Sequence, residues 1–445
     1  MSVREREPRV RRSERADLIA GGAAIGLIAL ASVVGAALYL AGKPVHATSA
    51  PFTAIWLPHA GPGTPLALAV AGLVVWHGPR LASELSWRRL MVSGYAAAVA
   101  WTLSLALVDG WQRGLAGRLV TKDEYLSEVA GVTDVPAMLR GFAGRILDFQ
   151  PDSWTTHVSG HPPGAFLVFV GLDRIGLGGG AWAALLCVAA GGLITVAVPV
   201  TIRTLGDEDA ARVAVPFLVL FPGAIWIGAS ADGLFAGVAA TGVALLAVAL
   251  TRRQFGTAAA AGALLVGSLY LSYGLTLLAL PALAVVFLAR RSTSIWRTLG
   301  VAVGAGAAVV VAFTLAGFWW LDGYHLVVER YYQGIASDRP YAYWVWADLA
   351  LVVACAGPVA AVIMRRAVTR SGRGPSLVLP VAGLAAIVAA DLSGLSKAEV
   401  ERIWLPFAVW LMAGAALLPP VSRRGWLLAQ AVIALLINHL LLTTW

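Results

Sequence analysis

Two histidines, His157 and His161, stand four residues apart in "HVSGHPPGAF", a spacing that places both side chains on one face of a helix. Imidazole nitrogens so placed can bind a transition metal, but such a site needs a clear third protein ligand. The neighbouring sequence offers none. The residues therefore predict no metal centre and require no cofactor, although an accessory role for a divalent cation stays open.

Carboxylates are concentrated shortly before this pair. Asp123 and Glu124 are adjacent in "TKDEYLSEV", and Asp109 lies in "LVDGW". A carboxylate that is partly removed from water has a raised pKa and can take a proton from a hydroxyl near neutral pH. The alternative is structural, because acidic side chains also stabilise the first turn of a helix through its dipole. The residues alone leave both interpretations open.

A third group of residues combines arginines with aromatic side chains in "VVERYYQGIASDRPYAYWVW". Arginine is permanently charged and can hold phosphate oxygens with two donors. The alternative is an aromatic belt in contact with lipid head groups, which is common where helices leave a bilayer. The candidates in this segment are Arg330, Tyr331, Tyr332, Arg339 and Tyr341.

Two further candidates lie beside apolar runs. Asp232 directly precedes one in "ASADGLF", where it could cap a helix or line a site. In "LSKAEVERIW", Lys397 and Glu401 are four residues apart and can pair on a helix surface. Arg402 begins the next apolar run, where it either faces head groups or binds a phosphate or a sugar.

These residues belong to a chain that is too apolar to be soluble. Of its 445 residues, 59% are hydrophobic and 13% are charged, whereas about half of an average soluble protein is apolar. Apolar runs of about 17–25 residues, each long enough for one spanning helix, recur from residue 18 onward. We predict an all-α polytopic membrane protein with spans at 18–41, 62–78, 89–108, 181–200, 211–228, 232–251, 257–272, 275–289, 296–319, 344–363, 376–394, 402–419 and 425–444.

Basic residues give the chain a formal net charge of +9. They stand in short groups between apolar runs, which is the pattern of topology signals and not of a nucleic-acid-binding surface. The two cysteines, Cys187 and Cys355, lie within apolar runs and indicate no disulfide. Residues 1–17 contain six arginines and no apolar core, so we expect a basic cytoplasmic tail and not a cleavable signal.

Residues 162–176 decide the topology of everything that follows them. If this segment only dips into the outer face, most of the 33 Lys and Arg residues lie in inner loops, as the positive-inside bias requires. If it crosses, many later arginines move outside. The segment is also short for a span and begins with two prolines. We therefore predict that it does not cross, with the N-terminus in the cytoplasm and the polar loops outside at 109–161, 320–343 and 391–402.

Residues 119–176 and the segment after them resemble the C-type membrane glycosyltransferases, a superfamily that includes protein O-mannosyltransferases, aminoarabinose transferases and mycobacterial arabinosyltransferases. The matching features occur in order: the acidic pair of "TKDEYLSEV", an "HPPG" where the family has His-Pro-Pro-Leu or Lys-Pro-Pro-Leu, the turn "RTLGDEDAARVA", and the acid of "ASADGLF". The acidic pair follows the third predicted span instead of the first, and Gly164 replaces the usual leucine. The segment "KAEVERIWLPF" is similar to a segment of uncharacterised actinobacterial members of this superfamily. The bias toward Ala, Arg and Gly likewise suggests an actinobacterial protein.

The resemblance implies transfer of a hexose or pentose from a polyprenyl-phosphate donor to a cell-envelope glycan, lipid or protein at the outer face of the cell membrane. Asp123 or Glu124 would be the general base, with Asp109 as the alternative because the position of the acidic pair leaves the alignment open. Membrane lipids are the other expected partner, and nucleic acid is excluded. The residues expected to bind substrate are His157, His161, Asp232, Arg330, Tyr331, Tyr332, Arg339, Tyr341, Glu401 and Arg402.

The predicted organisation is a tail at 1–17, three N-terminal spans at 18–108, an outer loop with interfacial and re-entrant helices at 109–180, and ten spans at 181–445. A flippase or transporter of lipid-linked sugars could share it, but should place charged groups near mid-membrane, where the predicted spans have almost none. A non-catalytic scaffold for cell-envelope assembly is the second alternative.

Overall fold

The computed structural model describes residues 3–290 and 295–443, with side chains from residue 13 onward. Its helices form the multi-pass membrane fold that the apolar runs predict. Each of the long helices coincides with one predicted span. Eight helices within the described ranges are long and apolar enough to cross a membrane: Ser13–Leu40, Thr64–Glu84, Trp87–Asp109, Gly180–Thr204, Ala231–Arg252, Ile295–Leu315, Pro375–Ser393 and Pro420–Leu440.

The five other predicted spans are helical but bent or short. Helices Tyr341–Ala356 and Val359–Thr369 occupy the predicted span 344–363 and meet at an angle of 103°, at a break formed by Gly357 and Pro358. Over the described residues the structure thus has eight spans by length and composition, or nine with this pair. The count of thirteen stays a prediction, because shorter helices occupy 211–228, 257–272, 275–289 and 402–419.

The shorter elements lie in loop 109–161, in the connections and in the predicted spans that are occupied by short helices. Further α-helices are Leu126–Val129, Val135–Gly141, Thr156–Ser159, Pro163–Arg174, Glu208–Val219, Ala224–Ile227, Phe255–Leu269, Ala279–Ala289, Trp320–Gln333, Val400–Ile403 and Leu405–Ala408. The 3-10 helices are Leu107–Asp109, Arg118–Val120, Ala143–Arg145, Tyr273–Leu278, Ile335–Ser337, Val409–Leu417 and Pro420–Ser422, and Gln112–Ala116 is a π-helical turn.

The two chain ends contain regular structure that the apolar pattern did not predict. The first helix begins at Val3, so the backbone of the predicted tail continues the first span; residues 1–2 and 444–445 lie outside the described ranges. The strands Ala54–Trp56 and Leu441–Thr443 pair antiparallel, so the last predicted span ends in a strand and the fold is not wholly α-helical. Three-residue strands carry no readable alternation, which is why the sequence pattern misses them.

One end of the bundle is held together by arginines from loops that are predicted to lie inside. Arg212 donates hydrogen bonds to the carbonyl oxygens of Ala82 and Leu85 at 3.0 and 2.9 Å. Arg365 and Arg366 both pair with the carboxylate of Asp17, a residue of the first span. These arginines therefore join segments that are far apart in sequence.

Helix Pro163–Arg174, the segment predicted to dip, has 12 residues. It is about 18 Å long at 1.5 Å per residue, short of the ~30 Å hydrocarbon layer. Just before it, the His157 N–H donates to the carbonyl oxygen of Asp123 at 3.0 Å, and at its end Arg174 donates to the carbonyl oxygen of Val132. The C-terminal end of the helix therefore contacts loop 109–161, and the claim that this segment does not cross the membrane stays a prediction.

Gly164, which replaces the leucine of the resembling family, has a packing reason here. A Cβ atom at this position would lie 2.4 Å from the carbonyl oxygen of Tyr270, and the neighbouring Ala165 N–H donates to the same oxygen at 3.2 Å. Only glycine permits this close approach of two backbones. The dipping segment is thereby fixed against the chain that follows helix Phe255–Leu269.

Candidate functional site

A small buried cavity lies where the outer loop meets two later helices. It encloses about 10 Å³, room for one water molecule. Its walls come from the outer loop, the start of helix Ala231–Arg252 and the short helix Val400–Ile403. The lining residues are Arg118, Glu124, Tyr125, His157, His161, Ala229, Ser230, Ala231, Asp232, Phe235 and Arg402. Five of these are residues that the sequence predicted: Glu124, His157, His161, Asp232 and Arg402.

Asp232 lies in the first turn of helix Ala231–Arg252. The N-cap of this helix is Ser230, whose hydroxyl oxygen accepts from the Asp232 N–H at 3.1 Å. The same hydroxyl donates to the Asp232 carboxylate at 3.0 Å. The capping alternative for Asp232 is therefore wrong, and its buried carboxylate is free to face Arg402.

Arg402 is the centre of the ionic network in this cavity. Its Nη1 lies 2.9 Å from Asp232 Oδ2, and its Nη2 lies 2.8 Å from Glu399 Oε2. Glu399 also accepts from Arg339 Nη2 at 3.1 Å. All four side chains are at least 87% buried, and buried ions are tolerated when they are paired and hydrogen-bonded in this way. Two carboxylates thus compensate the positive charge of Arg402.

A strained turn places Glu399 beside Arg402. Ala398 and Glu399 have φ angles of +69° and +62°, a left-handed conformation that costs about 1 kcal/mol or more for a residue with a Cβ. The Ala398 N–H is held by Asp348 Oδ1 at 3.1 Å. Non-glycine residues keep such strain where the surrounding structure requires it, and here the result is a carboxylate shared by two arginines.

The two histidines are neutral hydrogen-bonded rings. His157 Nδ1 donates to the carbonyl oxygen of Asp123 at 2.8 Å, and His161 Nδ1 donates to the carbonyl oxygen of His157 at 2.9 Å. In a neutral ring the other nitrogen then carries a lone pair, and His157 Nε2 lies 3.5 Å from Arg402 Nη2. Burial and the Arg402 charge lower the pKa of His157, so the ring stays uncharged near neutral pH.

The structure separates the two members of the acidic pair. Glu124 is 7% exposed and lines the cavity, with Oε1 3.5 Å from His157 Nδ1. Burial raises the pKa of Glu124 to about 7, against the opposing effect of the Arg402 charge. Asp123 is half-buried, and its carboxylate accepts from the Thr156 hydroxyl at 3.4 Å. Of the two carboxylates, the one that lines the cavity is thus Glu124, while the backbone carbonyl oxygen of Asp123 binds His157.

Asp109, the alternative base, lies in a separate ionic cluster. Its carboxylate contacts His59 Nε2 at 2.8 Å, Arg118 Nη2 at 3.3 Å and Arg113 Nη2 at 3.4 Å. The residue does not line the cavity and reaches it only through Arg118. Cationic or imidazole partners on both of its carboxylate oxygens hold Asp109 in this separate cluster.

The predicted aromatic and arginine segment lies beside the cavity without lining it. Arg330 pairs with Asp148 at 2.8 Å, and neither residue lines the cavity. Arg339 pairs with Glu399, which in turn pairs with Arg402. The Tyr331 hydroxyl accepts from the Lys397 N–H at 3.0 Å, while Tyr332 and Tyr341 are 49% and 43% exposed, as the aromatic-belt alternative predicts.

Glu401 does not form the predicted surface pair with Lys397. It is 2% exposed, and its Oε2 has no hydrogen-bond partner among the described residues. Burial raises the pKa of Glu401 to about 8. Lys397 instead donates through Nζ to the carbonyl oxygen of Arg339 at 3.0 Å, because the left-handed turn at Ala398 and Glu399 breaks the helical spacing on which the pair depended.

The sequence patterns missed several residues of the cavity. Arg118, Tyr125, Ser230 and Phe235 line it, but none stands in a motif with a distinctive spacing. Only Ser230 carried a usable signal, since a serine before an apolar run is a common N-cap. Within the described ranges, no group of three or more His, Cys, Asp and Glu side chains is placed to hold a metal ion.

Comparison with known proteins finds similarity among solved structures. No protein-family model and no curated protein matches the sequence. Structures of ArnT from Cupriavidus metallidurans, one bound to undecaprenyl phosphate and one in the apo state, match with 22% and 21% identity and a TM-score of 0.46 each. Each match covers 74% of this chain, and the chain spans about three fifths of the ArnT length, 61% and 60%.

Proposed function

We propose that this protein is a membrane glycosyltransferase that moves a sugar from a polyprenyl-phosphate donor to a cell-envelope acceptor, with Glu124 as general base. The observation that carries the proposal is the position of Glu124. This carboxylate is buried beside Arg402 and two neutral histidines, and its pKa is about 7. Since a base works best when its pKa is near the operating pH, the arrangement suits removal of a proton from a hydroxyl.

The reaction can be balanced with these groups. The acceptor hydroxyl gives its proton to the Glu124 carboxylate as its oxygen bonds to the anomeric carbon of the donor. The bond between that carbon and the phosphate oxygen breaks, and its electron pair stays on the polyprenyl phosphate. Negative charge grows on the phosphate during this step, and the cations Arg402 and Arg118 line the same cavity.

The cavity must widen for both substrates to enter. It has room for one water-sized group, whereas transfer needs an acceptor oxygen and a sugar phosphate together. The walls belong to separate segments, with Glu124 and His157 on the outer loop, Asp232 on a spanning helix and Arg402 on a short helix. Separation of the loop from these helices would open the site without disrupting either one.

The outer face is the proposed side of action. The arginine contacts of Arg212, Arg365 and Arg366 form the predicted inner end of the bundle, and cytoplasmic loops are the ones that favour Lys and Arg. The cavity is built from the acidic loop 109–161 and from the loop 391–402, both predicted outside. A hexose or a pentose, and a glycan, lipid or protein acceptor of an actinobacterial envelope, all fit this proposal.

The proposal is tested with purified full-length protein and a panel of radiolabelled polyprenyl-phosphate sugars, with membrane extract as the acceptor source. Loss of sugar from one donor, and its appearance on an acceptor, is the expected result. Glu124→Gln should abolish transfer, because the amide keeps size and polarity but cannot accept the proton. Asp123→Asn should keep at least half of the wild-type rate, as should Arg330→Ala, since both side chains lie outside the cavity.

Two outcomes would contradict the proposal. If Glu124→Gln transfers sugar at the wild-type rate, Glu124 is not the base. If every donor keeps its sugar but crosses the bilayer of a reconstituted vesicle, the protein is a transporter of lipid-linked sugars and not a transferase.

A further inference from the structure

Two buried hydrogen-bond donors of the cavity have no partner among the described residues. They are Nε of Arg118 and the hydroxyl of Tyr125, and both side chains line the cavity with Glu124. A buried donor without an acceptor is destabilising by roughly 1–3 kcal/mol. Two such donors in one cavity indicate that it is built to receive an acceptor-rich group.

Arg118 is less completely paired than Arg402. Its Nη2 lies 3.3 Å from Asp109 Oδ2, and its Nη1 donates to the backbone carbonyl oxygen of Thr443, whereas Arg402 has two carboxylates within 2.9 Å. Burial lowers the pKa of Arg118 despite the Asp109 charge. The positive charge of Arg118 is therefore only partly compensated.

Asp109 cannot compensate Arg118 fully because it is shared. His59 Nε2 lies 2.8 Å from Asp109 Oδ1, and His59 Nδ1 lies 2.6 Å from the carbonyl oxygen of Leu57. Arg113 Nη2 contacts the same Oδ1 at 3.4 Å. Arg113 is half exposed while Arg118 is 11% exposed, so only Arg118 carries its charge into the protein interior.

Tyr125 supplies a neutral donor held in a fixed position. Its ring stacks on Phe169 with centroids 5.0 Å apart and is 1% exposed. Burial raises the pKa of Tyr125 well above its usual value, so the hydroxyl keeps its proton over the physiological range. One cation and one fixed hydroxyl donor match an oxyanion that carries several acceptor oxygens.

We infer that Arg118 and Tyr125 bind the phosphate of the lipid donor, and that Arg402, which is already paired with Asp232 and Glu399, mainly positions these acids and the histidines. This inference rests on the proposed function. It reassigns the phosphate-binding role from Arg330 and Arg339, which do not line the cavity, to a residue that the sequence pattern did not indicate.

The experiment measures binding of undecaprenyl phosphate to the purified full-length protein in detergent by native mass spectrometry. Arg118→Ala should weaken binding by about tenfold to a hundredfold, since a hydrogen-bonded charge on a phosphate is lost. Tyr125→Phe should weaken it by roughly threefold to tenfold, as one neutral hydrogen bond is removed. Arg113→Ala is the matched control, because it removes another partner of Asp109 outside the cavity, and should bind within about twofold of wild type.

Each outcome decides between the possibilities. If Arg118→Ala does not fold, Arg118→Lys replaces it; the lysine keeps a charge but not the Nε donor, and binding should fall by a smaller factor than for alanine. Wild-type affinity in the Arg118 variants would overturn the inference and leave the transferase proposal intact. An equal loss in Arg113→Ala would show that Arg118 acts only through Asp109. Failure of the wild-type protein to bind this lipid would instead refute the donor class.

Discussion

The raised pKa of Glu124 predicts a pH-dependent stability that a single substitution should remove. The pKa of Glu124 is about 7 in the folded protein against an ordinary 4.5, because burial disfavours the charged carboxylate. Below pH 4.5 the folded and unfolded chains both hold the proton. Between these two values only the folded chain holds it, so stability falls as the pH rises, and above about pH 7 the full destabilisation is present.

The magnitude follows from the two pKa values. Each unit of difference corresponds to about 1.4 kcal/mol, so ionised Glu124 should destabilise the fold by at most about 3.5 kcal/mol well above pH 7. Glu124→Gln carries no charge at any pH and should lack this penalty. The variant should therefore gain stability over the wild type as the pH rises from 4.5 to 8, while losing sugar transfer.

Thermal unfolding of both proteins in the same detergent, followed by tryptophan fluorescence between pH 4.5 and 8.5, measures the difference. The melting temperature of the variant minus that of the wild type should be smallest at pH 4.5, rise most steeply near pH 6, midway between the two pKa values, and level off above about pH 7. Other titrating groups are common to both proteins and cancel. A difference that is constant over the whole range would refute the perturbed pKa of Glu124, and with it the reason for choosing this residue as the base.

Two further predictions concern the ionic network and the topology. Arg402→Ala should lower the free energy of unfolding by about 3–5 kcal/mol, because it leaves buried carboxylates without their cation. Adding Asp232→Asn to this variant should restore part of the lost stability. An unchanged melting temperature in Arg402→Ala would contradict the pairing. In intact cells, a membrane-impermeant maleimide should label Ser337→Cys but label Ser86→Cys only after permeabilisation; the reverse pattern would invert the predicted sides.

Much of the fold could be predicted from sequence because membrane insertion depends on local composition. A run of about 20 apolar residues specifies a spanning helix wherever it occurs, and each of the eight long helices coincides with such a run. The short helices between residues 208 and 289 could not be distinguished from spans in this way, since a hydrophobic run does not show whether its helix breaks or ends early. The break before Pro358, for example, bends two apolar helices by 103°.

The candidate site was predictable only as a set of residue types. Sequence alone determined that the candidate carboxylates, histidines and arginines stand in or beside the loops that separate apolar runs, because charged groups are excluded from the hydrocarbon. Only the tertiary structure decided that Glu124 and not Asp123 enters the cavity, since neighbours in a turn project to opposite surroundings. It also joined Arg118 and Arg402, which lie far apart in the chain, in one cavity. Burial and pairing determine the properties of these groups, and both depend on contacts between distant segments.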